Sequence, residues 1–160
     1  MSDLKKARRL LWLFTRFRIP LMGYVRPELI KINEKEAVFR IKLRRRTRNH
    51  LNSMYFGALA VGADLAGGFH AFYLADKLNV KLSLAFKDFS AEFLKRPMGD
   101  VYFICTEGQK VKNMIDETLS TGERVTSPIQ IMGVTDYPDN PEEIARFSLG
   151  LSLKNKTKTR

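Results

Sequence analysis

Asp64 is the only carboxylate between Leu51 and Ala75, and no Lys or Arg falls in that stretch. Gly57, Ala58, Leu59, Ala60, Val61, Gly62 and Ala63 precede it, and Leu65, Ala66, Gly67 and Gly68 follow. A carboxylate among such neighbours loses hydration, which disfavours its charged form unless donors compensate. Lone desolvated acids cluster at working sites, where they act as general bases or nucleophiles. The plainer reading is a structural acid tied to a backbone group or to Asn49.

Other residues ahead of Asp64 have chemistry to offer. Asn49 suits either a cap of the following helix or a polar group that orients substrate or water. The run Arg44-Arg45-Arg46-Thr47-Arg48 presents guanidinium forks that match phosphate geometry, although a solvated strand end has the same composition. Tyr55 reads as pocket wall or core, because a phenol is far from its pKa near neutrality. His50 and His70 have no spacing suited to a metal or a nucleophilic triad, so both read as structural or exposed. No G-x-S-x-G, phosphate-binding loop or dinucleotide fingerprint occurs.

Hydrophobic periodicity supplies the elements that must position these groups. Leu10, Leu13, Phe14 and Phe17 recur at helical spacing over Leu4 to Phe17, and Pro20 should end that helix. From Glu36, the alternation of Ala37, Phe39, Ile41 and Leu43 with Val38, Arg40, Lys42 and Arg44 predicts a strand with one wet face. The stretch from about Ser53 to Leu78 is apolar around its whole circumference. It predicts a helix buried on most sides, with Asn52 or Ser53 as its cap. Its length would also cross a bilayer, but Asn52, Asp64, His70 and the strands that follow argue against a span.

Beyond it, Leu82, Leu84 and Phe86 occupy even positions whereas Phe89, Ala91 and Phe93 occupy odd ones. That change of parity predicts a bulge near Lys87-Asp88. Pro97 to Asp100 reads as a turn into a strand at Val101 to Thr106. Gln109 to Leu119 is ambiguous, with a short helix as one reading. Arg124 to Thr135 reads as a strand with an edge or irregularity at Pro128, and Ala145 to Leu153 alternates cleanly. The sum is two strands, one long buried helix and four further strands. That pattern predicts an α+β layer in which the helix lies across an antiparallel sheet.

The chain has 160 residues, 44% hydrophobic and 28% charged, which suits one globular domain. Residues 1–48 hold 15 Lys and Arg against 4 Asp and Glu, while residues 49–160 hold 13 of each, so the formal +11 lies wholly in the first segment. A localised excess points to an anionic partner. A membrane surface could receive the basic helix and its Trp12. Nucleic acid finds no stacking pattern or binding motif in support. The lone Cys105 rules out an internal disulfide and reads as a small core residue in a reducing compartment. Arg16 and Arg18 break the first apolar run and no small-residue cleavage site follows. The expected location is therefore cytoplasmic, with the membrane periphery as an alternative.

The segment Asn49-His50-Leu51-Asn52-Ser53-Met54-Tyr55-Phe56-Gly57-Ala58 with Asp64 resembles the hotdog fold, and within it the phenylacetyl-CoA thioesterase-like branch. In that branch an Asn precedes a His-Gly-Gly at the helix start, and an acid follows seven residues after the second Gly. Asn49, Gly57 and Asp64 match those positions, and Ala66-Gly67-Gly68 is similar; Tyr55 stands in place of the His and Phe56 in place of the first Gly. The architecture covers Gly23 to Lys154, between a basic helix at residues 1–20 and a basic tail at 155–160.

The resemblance implies hydrolysis of an acyl-CoA or acyl-carrier thioester. Asp64 would activate water or attack directly, helix-start N–H groups near Phe56 and Gly57 would hold the oxyanion, and Asn49 would orient substrate or water. Tyr55 and Phe56 would wall the substrate, and Arg44, Arg45, Arg46 and Arg48 would draw the coenzyme A phosphates. It implies a homodimer or homotetramer with the site at a subunit interface, and no metal or redox cofactor beyond the coenzyme A of the substrate. The alternative on the same fold is a non-catalytic protein that binds acyl groups.

Overall fold

The computed structural model describes residues 3–157, so residues 1–2 of the basic helix and 158–160 of the basic tail lie outside it. Helix α1 (Asp3–Leu13) runs through a π-helical turn (Phe14–Arg18) to the short α2 (Pro20–Tyr24). Strands β1 (Glu28–Ile32) and β2 (Ala37–Ile41) come next. The central helix Phe56–Lys77 follows as α3 (Phe56–Asp64), a π-helical turn (Leu65–Phe69) and α4 (His70–Lys77). Strands β3 (Leu82–Phe93) and β4 (Val101–Cys105), helix α5 (Gly108–Thr121), and strands β5 (Val125–Thr135) and β6 (Glu142–Asn155) complete the fold.

The six strands form one antiparallel sheet in the order β1-β2-β4-β5-β6-β3. The central helix is long and apolar enough to cross a membrane, yet most of it is buried inside the protein. Its Ala58, Leu59, Ala63, Leu65, Ala66 and Phe69 meet the inward rows of the strands, among them Phe39, Phe103, Ile131, Phe147 and Leu149. Such contact requires close approach of backbone to ring. A Cβ on Gly62 would stand 2.2 Å from the Phe103 ring, so only glycine fits there. A long helix enclosed by a curved antiparallel sheet is the hotdog arrangement that the sequence pattern suggests.

Several local expectations are met. The β3–β6 register shifts between Phe86 and Phe89, and Asp88 of that bulge lies over Gly150, where a Cβ would meet its carboxylate at 2.5 Å. Ala145, Phe147, Leu149, Leu151 and Leu153 are all buried on one face of β6. Pro128 sits where β5 runs beyond the end of β4, so no strand on that side misses its N–H. The ambiguous stretch after Cys105 is a full helix, α5. It buries Val111, Met114, Ile115 and Thr118 and ends on Gly122 at φ 72°, the left-handed conformation that favours glycine there.

Three expectations are corrected. Of the Leu10, Leu13, Phe14 and Phe17 stripe, Phe14 packs partly buried against the core while Leu10, Leu13 and Phe17 are exposed; Ala7, Leu11 and Thr15 are the buried residues. Two small residues let α1 lie close to β1, where Arg8 Nε donates to the Leu29 carbonyl at 2.9 Å. The second face of β2 is not wet: Val38 is fully buried, and Arg40 lies over the Tyr102 ring while pairing with Glu28. The central helix starts at Phe56 rather than Ser53, with Tyr55 rather than Asn52 or Ser53 at its cap position. Asn49 Oδ1 has already taken the Leu51 N–H, the Ser53 N–H and the Ser53 hydroxyl into a separate turn.

Gly62→Ala is expected to destabilise the fold by about 2 kcal/mol or more, since the Phe103 ring it would strike is fully buried and has nowhere to move. Denaturant unfolding of the purified variant checks it.

Candidate active site

The helix start is built by a loop that folds on itself. Tyr55 N–H donates to the Thr47 carbonyl at 2.8 Å, Asn49 N–H to the Ser53 carbonyl at 2.8 Å and Met54 N–H to the Pro97 carbonyl at 3.0 Å. Asn52 takes φ 61°, which asparagine tolerates. The donors converging on Asn49 fix its amide orientation, because only its oxygen can accept from two backbone N–H groups. Its NH₂ finds no acceptor among the described residues and is left available to a ligand.

The first backbone N–H groups of any helix lack intrahelical acceptors. Here the Tyr55 carbonyl accepts from Ala58 and Leu59, whereas the N–H groups of Phe56 and Gly57 have no partner among the described residues. Unsatisfied donors with the helix dipole behind them suit a developing negative oxygen. The Tyr55 ring packs over Gly57, where a Cβ would stand 2.5 Å from Cε1, and against the Phe56 ring at 4.8 Å between centroids.

Tyr55 and Phe56 line a cleft of about 520 Å³. Asn49, His50, Tyr55 and Phe56 lie on one side; Phe93, Leu94, Lys95 and Arg96, from the end of β3 and the segment after it, form the other. Lys95 and Arg96 are a contribution that sequence reading missed. The signal was a basic pair directly after Phe93-Leu94, but only the bond from Met54 to Pro97 carries that segment to the helix start. The Arg44–Arg48 run does not line this cleft in its own chain. Arg46 turns away to α2, donating to the Tyr24 carbonyl at 3.1 Å with its guanidinium 5.2 Å over the Tyr24 ring.

Asp64 lies elsewhere on the same helix, eight residues from Phe56 and so about 12 Å along the axis. It is the residue immediately before the π-helical turn. Its carboxylate is half-buried beside Gly68 and Phe86 of β3: a Cβ on Gly68 would lie 3.3 Å from Oδ1 and 3.2 Å from the Phe86 ring. No hydrogen bond reaches Asp64 from the described residues, and burial pushes its pKa up to about 6. A carboxylate so placed is mostly ionised at neutral pH yet basic enough to take a proton from water. β3, which contributes Phe86 beside the acid, is an edge strand of twelve residues whose outer edge pairs with no strand among the described residues.

The remaining candidates serve structure. His70 is fully buried, its Nε2 donates to the Asn33 carbonyl at 2.9 Å, and burial pushes its pKa down. Cys105 is buried with its thiol pushed up to about 11, which keeps it unreactive.

With this geometry in hand, comparison with known proteins places the chain. The architecture is a hotdog fold. The chain belongs to the DUF4442 family, a domain of unknown function, whose family model matches residues 7–132. Three solved structures illustrate the likeness. A protein of unknown function from Chlorobaculum tepidum superposes with a TM-score of 0.79 at 14% identity, covering 94% of this chain and 96% of that one. A candidate thioesterase from Shewanella oneidensis gives 0.76 at 15%, covering 94% and 98%. A thioesterase from Haemophilus influenzae gives 0.67 at 14%, covering 100% and 96%. Comparison with curated proteins gives no match.

The raised pKa of Asp64 carries a stability consequence of definite sign. Below about pH 4 the acid is protonated folded or unfolded, and nothing is lost. Between about 4 and 6 the unfolded chain ionises while the folded one does not, so stability falls as pH rises, and the loss is complete above 6. Asp64→Asn should therefore stabilise the protein at pH 7.5 by on the order of 2 kcal/mol, a half-buried group keeping part of its hydration, and have little effect at pH 4. Thermal unfolding of both proteins at the two pH values checks this.

Proposed function

We propose that the protein hydrolyses acyl thioesters of coenzyme A or of an acyl carrier. The observation that carries the reading is the half-buried Asp64, without a hydrogen-bond partner among the described residues, on the same central helix whose start, at Tyr55 and Phe56, lines a cleft and whose Phe56 and Gly57 N–H groups have no acceptor among those residues. The thioesterases among the solved structures of the same fold support it.

In the proposed reaction the thioester carbonyl sits at the helix start with its oxygen toward the Phe56 and Gly57 N–H groups. Asp64 takes a proton from water, the oxygen of that water adds to the carbonyl carbon, the carbon–sulfur bond breaks, and the thiolate leaves and is protonated. Water is the only co-substrate this route needs. The Asn49 amide orients the thioester or the water, Tyr55 and Phe56 wall the acyl group, and Lys95 and Arg96 meet the phosphates.

The separation of about 12 Å along one rigid helix requires that the acid and the oxyanion donors of one site come from two copies of the chain. The unpaired edge of β3 is the surface on which a second copy would join, since an exposed twelve-residue edge is a template for pairing. A second reading, binding without turnover, is favoured by the Tyr55 ring lying over Gly57, where it narrows the approach to the donor.

Turnover and binding of a panel of acyl-CoAs by the purified protein separate the two readings. If it is an enzyme, kcat/KM should rise as pH passes through about 6 and level off above. Asp64→Asn should lose roughly 10²- to 10⁴-fold in kcat while still binding substrate. Binding of every member without turnover would establish the second reading.

Phe56→Pro removes one donor yet leaves the helix intact, because proline suits the first helical position and Tyr55, at ψ 137°, already has the conformation proline demands of its predecessor. It should lose about 10²-fold in kcat, with Phe56→Ala much less affected. Co-refolding Asp64→Asn with Phe56→Pro chains should recover about a quarter of wild-type activity if each site draws on two copies of the chain.

A further inference from the structure

The corrected orientation of α1 leaves an unusual surface. Trp12 (59% exposed), Phe17 (66%), Leu21 (70%) and Tyr24 (58%) project from α1, the π-helical turn and α2. Between residues 3 and 26 they are interleaved with seven Lys and Arg against one acid, Asp3. The exposed Arg44 and Arg45 extend this charge, and Arg46 reaches Tyr24 itself. Under the patch, between α1, α2 and β1, lies a second cleft of about 810 Å³, with Trp12 on its wall and Arg8, Arg16 and Arg26 around it.

None of those three guanidinium groups forms an ion pair among the described residues. The acid in the cleft, Glu28, is already held by Arg40 and by Lys42 at 2.8 Å. The cleft therefore presents uncompensated positive charge next to aromatic and aliphatic side chains that none of the described residues covers.

Charge decides what covers such a face. A second copy joined through a two-fold axis would set the seven cations against themselves. A bilayer with anionic headgroups offers the complement to both components, phosphates for the arginines and an acyl boundary for the rings. Tryptophan and tyrosine settle at that boundary because each has an apolar ring and a polar atom.

We propose that this face docks on anionic phospholipid membranes, with Trp12, Phe17 and Leu21 entering the headgroup boundary and a lipid phosphate seated among Arg8, Arg16 and Arg26. The inference stands apart from the thioesterase reading, as it uses no residue of that site.

Trp12 is the only tryptophan in the chain, so intrinsic emission reports on the patch directly. The full-length protein is mixed with phosphatidylcholine vesicles, with or without phosphatidylglycerol, then read by fluorescence and by pelleting. A blue shift and co-sedimentation are expected with the anionic vesicles, reversed by high salt. Arg16→Glu with Arg18→Glu should weaken partitioning by more than about tenfold, and Phe17→Ser with Leu21→Ser should abolish the shift. All four side chains are exposed, and an unchanged thermal midpoint confirms that each variant is folded. Absence of a shift with anionic vesicles overturns the proposal, as does equal binding to neutral ones. A shift that grows with protein concentration without lipid would reassign the face to self-association, and one reproduced by inorganic phosphate alone would reassign the cleft to a soluble anion.

Discussion

The enclosure of one helix that is apolar on every side governs the rest of this structure. Phe56–Lys77 has no face it can give to water except at its ends, so the sheet must curve around it. Enclosure at that distance needs small residues on the helix: Ala58, Gly62, Ala63 and Ala66 let the rings of β2, β4 and β6 come within contact. The glycines that would weaken this helix in isolation are what allow it to be packed. The π-helical turn at Leu65–Phe69 lies wholly within that packing, every one of its residues buried.

Against that background a half-buried carboxylate in mid-helix is a costly exception. Asp64 has no donor among the described residues to compensate it, and its neighbours Phe86 and Gly68 give it space without charge. The same desolvation that costs stability tunes the acid toward neutrality, which is what a general base needs. On the proposed reading, function and stability oppose each other at this one side chain. Tyr55 and Phe56 in place of the His and Gly of the resembling branch bear on approach and orientation rather than on the donors, because a backbone N–H survives any substitution except proline.

The two edges of the sheet are treated differently. Along β1, α1 lies close and Arg8 satisfies a strand carbonyl, while β3 keeps twelve residues of open edge near the acid. One edge is therefore partly covered within the chain, and the other has no strand beside it among the described residues. Covering β1 spends the inward stripe of α1 and leaves its second apolar stripe outside among cations. The proposed oligomer and the proposed membrane contact thus use separate surfaces.

Much of this was legible in the residues. Alternation in β6, the parity change at Lys87-Asp88, the all-round apolar helix and the isolation of Asp64 are local patterns, and local patterns survive folding because side-chain direction follows backbone period. What the tertiary structure decided depended on choices between equally local options. Leu10–Leu13–Phe17 and Ala7–Leu11–Thr15 both recur at helical spacing along α1 and the π-helical turn, and packing beside β1 buried the smaller set. Asn49 could cap the helix or close a turn, and three nearby donors took it for the turn. Lys95 and Arg96 reach the helix start, and Arg46 leaves it, only because the Thr47–Tyr55 loop docks on Pro97 and Arg46 on Tyr24. Sequence determined which groups were present and how they were spaced along each element; only packing decided which of them meet, because pairings across the sheet are set by shape and by competition for hydrogen bonds.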